Sequence, residues 1–183
     1  MSEIEQVASR EVYRNAWLRV REDEISYADG SAGLYAVVEK QDFVTVVPWT
    51  GDGFWIVQQY RYPVGVRAWE FPQGGWSAGH AEGTMAELAA AELAEETGLR
   101  AGSLRRLGRL YASYGFCSQS FEVFLATDLR EGEPSREVSE QDMVHRWVSD
   151  AELRAMLRSG EFPDSHSCAS LALFDELRRR DGA

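Results

Sequence analysis

Met85-Ala86-Glu87-Leu88-Ala89-Ala90-Ala91-Glu92-Leu93-Ala94-Glu95-Glu96-Thr97-Gly98-Leu99 reads as one helix with an acidic side. A helix turns by about 100° per residue, so Glu92 and Glu96 stand one turn apart on a shared face, with Glu95 beside them. Three carboxylates are then expected to converge, with a cation among them. Thr84 and Glu87 have the form of a capping box, and Gly98 suits the left-handed position that ends a helix. Ala86, Ala89, Ala90 and Leu93 make the expected core-facing stripe. Leu88 falls on the acidic side, one turn before Glu92, so that side is not expected to be fully solvated. Like charges at i,i+4 disfavour an isolated helix by about 0.2–0.5 kcal/mol per pair. A hard divalent cation reverses that sign, and Mg²⁺ in particular is shared between a few carboxylates, waters and substrate phosphates. The competing reading, a merely solvated acidic helix, is weakened by the segment in front of it.

That segment runs Glu70-Phe71-Pro72-Gln73-Gly74-Gly75-Trp76, then Gly79-His80-Ala81-Glu82-Gly83, and enters the helix directly. The strand–loop–helix order resembles the Nudix hydrolase family. Its signature is Gly, five residues, Glu, seven residues, Arg-Glu, an aliphatic residue, any residue, Glu-Glu, any residue, Gly and an aliphatic residue. Glu92-Leu93-Ala94-Glu95-Glu96-Thr97-Gly98-Leu99 matches everything after the Arg. Two departures precede it. Six residues separate Gly75 from Glu82 and eight separate Glu82 from Ala91, so the loop is two residues longer than the pattern. Ala91 also stands where the family carries an Arg that braces the glutamates. Arg61, Arg67 and Arg109 are candidates to replace it.

The resemblance reaches beyond this box. Gln58-Gln59-Tyr60-Arg61-Tyr62-Pro63-Val64-Gly65 with Trp69-Glu70-Phe71-Pro72 is similar to the upstream segment of the ADP-ribose pyrophosphatase branch, as are Val12-Tyr13 with Trp17-Leu18-Arg19-Val20, and the tail near Ser165–Leu173. It implies an α/β fold, an α/β/α sandwich with a mixed sheet, plus a small N-terminal antiparallel strand appendage. It implies a homodimer that exchanges N-terminal strands, and Mg²⁺ as cofactor with Mn²⁺ as an alternative. Glu92, Glu95 and Glu96 are the expected metal ligands, helped by a backbone carbonyl near Gln73 or Gly74. In that branch a loop glutamate serves as general base, and Arg130–Asp142 is the matching loop here; Glu140 is the first candidate and Glu137 the second, with Glu95 and Glu96 as catalytic alternatives. Either loop residue can equally be a solvated surface charge.

The implied reaction is cleavage of a nucleoside diphosphate derivative, ADP-ribose or a nucleotide sugar, to a nucleoside monophosphate and a sugar phosphate. A dinucleoside polyphosphate is the alternative substrate, because Tyr114 in Ser113-Tyr114-Gly115-Phe116 stands where ADP-ribose enzymes carry a Pro, and because Phe71-Pro72-Gln73-Gly74-Gly75 is similar to the polyphosphate enzymes. With Ala91 in the box, a weakly active or non-catalytic nucleotide sensor also stays open. Arg61 either meets a substrate phosphate with its planar guanidinium or pairs with Glu70. Trp17 and Tyr13 either stack on a base or fill a core or dimer interface.

Composition frames these readings. The chain has 183 residues, 44% of them hydrophobic, enough for one core. Residues 1–40 are expected to form the strand appendage and residues 41–183 the hydrolase domain. A formal charge of −11 opposes nonspecific nucleic-acid binding, which depends on Lys and Arg neutralising phosphates. No apolar run is long enough to span a bilayer, and the acidic start Met1-Ser2-Glu3-Ile4-Glu5 differs from a signal peptide, so a cytoplasmic protein with no membrane partner is expected. Cys117 and Cys168 are too few for a zinc cluster and are expected to be free thiols. Strands are expected at Leu18–Tyr27, Leu34–Glu39, Phe43–Pro48, Phe54–Tyr60, Arg105–Ser113, Phe121–Thr127 and Met143–Val148, with further helices at Asp150–Arg158 and Ser165–Arg180.

Overall fold

The computed structural model describes residues 3–76, 83–136 and 142–182. They form two compact units. The first comprises Met1–Asp42, Trp76–Ala81 and Leu110–Phe121; the second comprises Phe43–Gly75, Glu82–Arg109 and Glu122–Ala183.

The first unit is built on an antiparallel sheet of β1 (Ile4–Arg14), β2 (Leu18–Tyr27) and β3 (Ala32–Lys40), in that order. β1 was not expected. Its sequence, IEQVASREVYR, has no sustained apolar alternation, and every one of its residues is exposed. Pairing with β2 makes it a strand, with register shifts between Gln6 and Ala8 and between Glu11 and Tyr13. The turn from β2 to β3 bends at Gly30, whose φ of 83° favours glycine, while the Asp29 carboxylate accepts from the Ser31 amide at 2.9 Å. Ion pairs lace the sheet across its strands: Arg10–Glu22 at 2.6 Å, Arg21–Glu39 at 2.8 Å and Arg19–Glu39 at 3.1 Å. Residues 115–120 run alongside the end of β3, where the Val38 amide donates to Phe116 O at 2.8 Å and the Ser118 amide to Val38 O at 3.0 Å.

The second unit holds the larger part of a four-stranded sheet, ordered β7 (Gln73–Gly74), β4 (Phe43–Pro48), β9 (Ser120–Thr127), β8 (Ser103–Tyr111). It also holds a three-stranded sheet, ordered β10 (Val144–Ser149), β5 (Gly53–Arg61), β6 (Val66–Glu70). Helix α1 (Met85–Thr97) packs on β4 and β7, α3 (Ser165–Asp181) on β4, and α2 (Asp150–Ser159) on β10 and β5. β4 is consequently covered over most of its length, with Val44, Val46 and Val47 wholly buried, as strands packed on both faces are. Aromatic rings fill the space beside it: Phe54 meets Phe174 edge-on at 5.2 Å, and Phe71 meets Phe162 at 5.3 Å. The α/β arrangement and the N-terminal antiparallel sheet agree with the expected fold class.

The boundaries of β2 and β4 match the sequence reading, and those of the other expected strands fall within about two residues of it. β6 and β7 were not expected as strands. β7 is two residues long and exists through its pairing with β4, Val44 opposite Gly74 and Thr45 opposite Gln73. Helix α1 ends at Thr97, two residues before the expected Leu99, because Gly98 turns into the left-handed region at φ 77° and its amide returns to Ala94 O.

Candidate active site

Helix α1 starts as its sequence dictates. The Thr84 side chain accepts from the Glu87 amide at 3.2 Å, and the Glu87 carboxylate accepts from the Thr84 amide at 2.7 Å. Its buried face differs from the expected one. Ala86 and Ala90 are exposed, and the residues facing inward are Leu88, Ala89, Glu92, Leu93, Glu96 and Thr97. The helix therefore buries Glu92 and Glu96 together with Ala89 and Leu93 of the expected stripe. Glu92 keeps 8% of its exposure and Glu96 none, whereas Glu95 is half-buried. Removing a carboxylate from water costs several kcal/mol unless partners compensate.

The two buried carboxylates face β7. The Gln73 amide donates to Glu96 Oε2 at 3.3 Å. The Glu92 carboxylate lies so close to the Gly74 Cα that a Cβ there would meet it, so any larger residue would push this carboxylate aside. β7 is held in turn from α3. The Asp164 carboxylate, the N-cap of α3, accepts from Gln73 Nε2 at 3.1 Å and from the Ser167 amide at 2.8 Å. The Ser167 hydroxyl donates to Asp164 at 2.7 Å and accepts from the Phe71 amide at 2.8 Å. Burial pushes the Asp164 carboxyl upward, but hydrogen bonds from His166 and Ser167 outweigh it and hold the group well below the usual carboxylate range. Sequence reasoning began a helix at Ser165 but assigned nothing to Asp164 and Ser167; the Asp-Ser start of α3 was the readable signal.

Arg61 and Glu70 meet across β5 and β6. The guanidinium grips both carboxylate oxygens, Nε to Oε2 at 3.1 Å and Nη2 to Oε1 at 2.6 Å, and Gln59 Nε2 adds a third hydrogen bond at 2.8 Å. Burial still raises the Glu70 pKa, with Arg61 and Gln59 pulling it back only partly. Arg67, another candidate brace for the glutamates, reaches Asp142. Arg109 lies exposed on β8. The guanidinium found at the end of α1 belongs to Arg136, whose Nε donates to the Glu96 carbonyl at 3.0 Å. No sequence pattern marked it, since it sits in an irregular loop.

Trp17 and Tyr114 belong to the first unit, where they are 72% and 85% exposed. Trp17 borders a shallow hollow with Arg14, Arg19 and Lys40. Glu137 and Glu140 lie outside the described residues, as do Gly79 to Glu82.

Glu92, Glu95 and Glu96 were expected to converge on a cation. Among the described residues no three His, Cys, Asp or Glu side chains are grouped closely enough to hold a metal ion. Glu92 and Glu96 turn to β7, while Glu95 sits at the half-buried margin. The donor set nevertheless fits a hard divalent cation. It offers buried carboxylate oxygens against a strand left bare by Gly74, and such an ion fills the rest of its shell with carbonyls, water and substrate phosphate.

The family model for the NUDIX domain matches residues 39–167. The chain belongs to the Nudix family. The N-terminal strands of this Nudix hydrolase match the model for the nucleoside diphosphate sugar hydrolase N-terminal domain over residues 4–38. The chain is 33% identical over 172 residues to an ADP-ribose pyrophosphatase of Mycobacterium tuberculosis (strain ATCC 25618 / H37Rv), covering 92% of this chain and 82% of that one. It is 29% identical over 139 residues to an ADP-ribose pyrophosphatase of Bacillus subtilis (strain 168), covering 75% and 74%. A crystal structure of an ADP compounds hydrolase shares the fold, with a TM-score of 0.85 at 20% identity over 100% of this chain and 97% of that one. As a Nudix enzyme the chain hydrolyses a nucleoside diphosphate derivative, and enzymes of this family use divalent metal ions.

Proposed function

We propose that this Nudix hydrolase is Mg²⁺-dependent and cleaves the pyrophosphate bond of ADP-ribose or a related nucleotide sugar, yielding a nucleoside monophosphate and a sugar phosphate. The observation that carries the metal-dependent chemistry is the burial of Glu92 and Glu96 against Gln73–Gly74. The relatives named ADP-ribose pyrophosphatase and the match of residues 4–38 support the substrate.

Glu92, Glu95 and Glu96 would hold the cation, with the backbone carbonyl of Gln73 or Gly74 completing the protein's share. When bound, the ion neutralises charge on the diphosphate and makes water more acidic. The chain's own work is to orient the phosphorus and to take a proton. Water oxygen attacks one phosphorus, the bridging P–O bond breaks, and the departing phosphate keeps that bond's electron pair. A carboxylate receives the proton of the attacking water. Glu140 is our first candidate for this base, Glu137 the second, and Glu95 or Glu96 the alternative within α1.

The enzyme is also proposed to work as a homodimer built through its N-terminal sheet. β1 is exposed throughout, and Val7, Val12, Tyr13, Trp17 and Leu34 each retain more than half of their exposure. A three-stranded sheet gains independent stability when an apolar face is covered.

The decisive experiment incubates purified protein and Mg²⁺ with ADP-ribose, nucleotide sugars and dinucleoside polyphosphates. ADP-ribose or a nucleotide sugar should turn over fastest, and Glu96→Gln should lower kcat by about 100-fold or more while ligand binding survives. Preferred cleavage of the polyphosphates would overturn the substrate assignment. Binding without cleavage of any compound would make the protein a sensor.

A further inference from the structure

Helix α1 carries Glu87, Glu92, Glu95 and Glu96 and no Lys or Arg, so nothing in its own sequence offsets the negative potential at its C-terminal end. The last carbonyls of any helix also need donors from outside it. Here Ala94, Glu95 and Glu96 each find one. Leu93 O accepts from the Thr97 hydroxyl at 2.5 Å and Ala94 O from the Gly98 amide at 2.9 Å. Glu95 O accepts from the Ser135 amide at 3.0 Å, and Glu96 O from Arg136 Nε at 3.0 Å.

The last two donors come from one strap, residues 130–136. It is joined to the chain just after the helix by paired backbone bonds between Arg100 and Arg130, each 2.9 Å. It passes so near Gly98 that a Cβ there would strike the Gly132 carbonyl. Arg136 then ties the helix end to β10, because its Nη2 lies 2.7 Å from His145 Nδ1. Arg136 must be the donor in that bond, so His145 Nδ1 carries no proton and the neutral ring is protonated on Nε2. Burial and the neighbouring guanidinium both lower the His145 pKa, favouring that neutral acceptor. β10 pairs with β5, and β5 with β6, the strands that hold Arg61 and Glu70.

We infer that Arg136 is a positioning residue for the hydrolytic reaction: by clamping the Glu96 carbonyl to His145 it fixes the helix end that presents Glu92, Glu95 and Glu96. The inference rests on the proposed role of those glutamates.

The test compares wild type, Arg136→Ala and Arg136→Lys on two readouts. In ADP-ribose hydrolysis, Arg136→Ala should lower kcat about 10- to 100-fold and raise the activating Mg²⁺ concentration, the usual effect of losing a group that orients metal ligands. KM for the nucleotide should change less than about threefold, and Arg136→Lys should recover part of kcat, because a single cationic donor remains. Hydrogen exchange on the metal-free proteins should show the amides of Glu95 to Gly98 opening about tenfold faster in Arg136→Ala, with β5 and β9 unchanged. Unchanged kcat and unchanged exchange at the helix end would overturn the inference. So would faster exchange spread equally through β5 and β9, since Arg136 would then be a residue of general stability. Should wild type cleave no compound, the functional reading falls, and the exchange comparison still tests the clamp.

Discussion

Glu70 is 1% exposed and Arg61 holds both of its oxygens, so the pair behaves as a buried ion pair with one open side. Losing one partner of such a pair is costly because the other charge stays behind. The Arg61 side chain keeps 39% of its exposure, so solvent shares the compensation, and Arg61→Ala is expected to destabilise the protein by about 1–3 kcal/mol. The sign with pH follows from Glu70, whose pKa in the fold is raised above its ordinary 4.5 by burial. The protonated form is then favoured by folding, so this contribution is full below 4.5 and is lost as pH rises through the folded value. Without Arg61 that folded value moves higher still, and urea midpoints of Arg61→Ala should fall as pH rises above 4.5. Adding Glu70→Gln should restore most of the midpoint and flatten the curve. A midpoint of Arg61→Ala equal to wild type at neutral pH would show that Glu70 does not depend on Arg61 for its compensation.

At the scale of the element, α1 shows which parts of a helix are local. The capping box at Thr84 and Glu87 and the left-handed Gly98 were legible because caps depend on neighbours within four residues. Thr84→Ala is accordingly expected to cost about 1 kcal/mol in chemical denaturation, with Ser at the same position costing far less. Which side faces the core was read in part: Ala89 and Leu93 of the expected stripe are wholly buried, but the burial of the glutamates beside them is not given by a hydrophobic pattern. Here Glu92 and Glu96 go inward with Leu88, and Ala86 and Ala90 face water. Local rules fail at functional sites for this reason. β7 was illegible for a different one: two residues carry no period, and it is placed by the pairing with β4 and by the anchor from Asp164 and Ser167. Arg136 likewise carried no local signal, its partners being 40 and 9 residues away along the chain.

For the whole molecule, the N-terminal sheet is the part whose energetics look incomplete. Its cross-strand ion pairs are partly exposed, and pairs open to solvent contribute about 0–1 kcal/mol each. Ile25 is its one large buried apolar side chain among the described residues of β1, β2 and β3. The proposed homodimer supplies the missing cover. Sedimentation equilibrium at micromolar protein should give twice the chain mass of 20.6 kDa, and a charge placed at Val12 or Leu34 should shift the equilibrium toward monomer. A wild-type monomer at that concentration would remove the proposal.

The chemistry was readable from the one-dimensional chain. Three glutamates at helical spacing, a glycine-bearing segment before them and caps at both ends are short-range patterns, and it was their resemblance to the Nudix signature that implied a hydrolase. The surroundings of those glutamates come from folding in three dimensions. The carboxylates lie against Gly74, Asp164 and Ser167 steady β7, and Arg136 answers the helix that lacks a cation of its own. Those partners are tens of residues apart in sequence, and their meeting is fixed by the summed packing of sheets and helices, which no short stretch encodes.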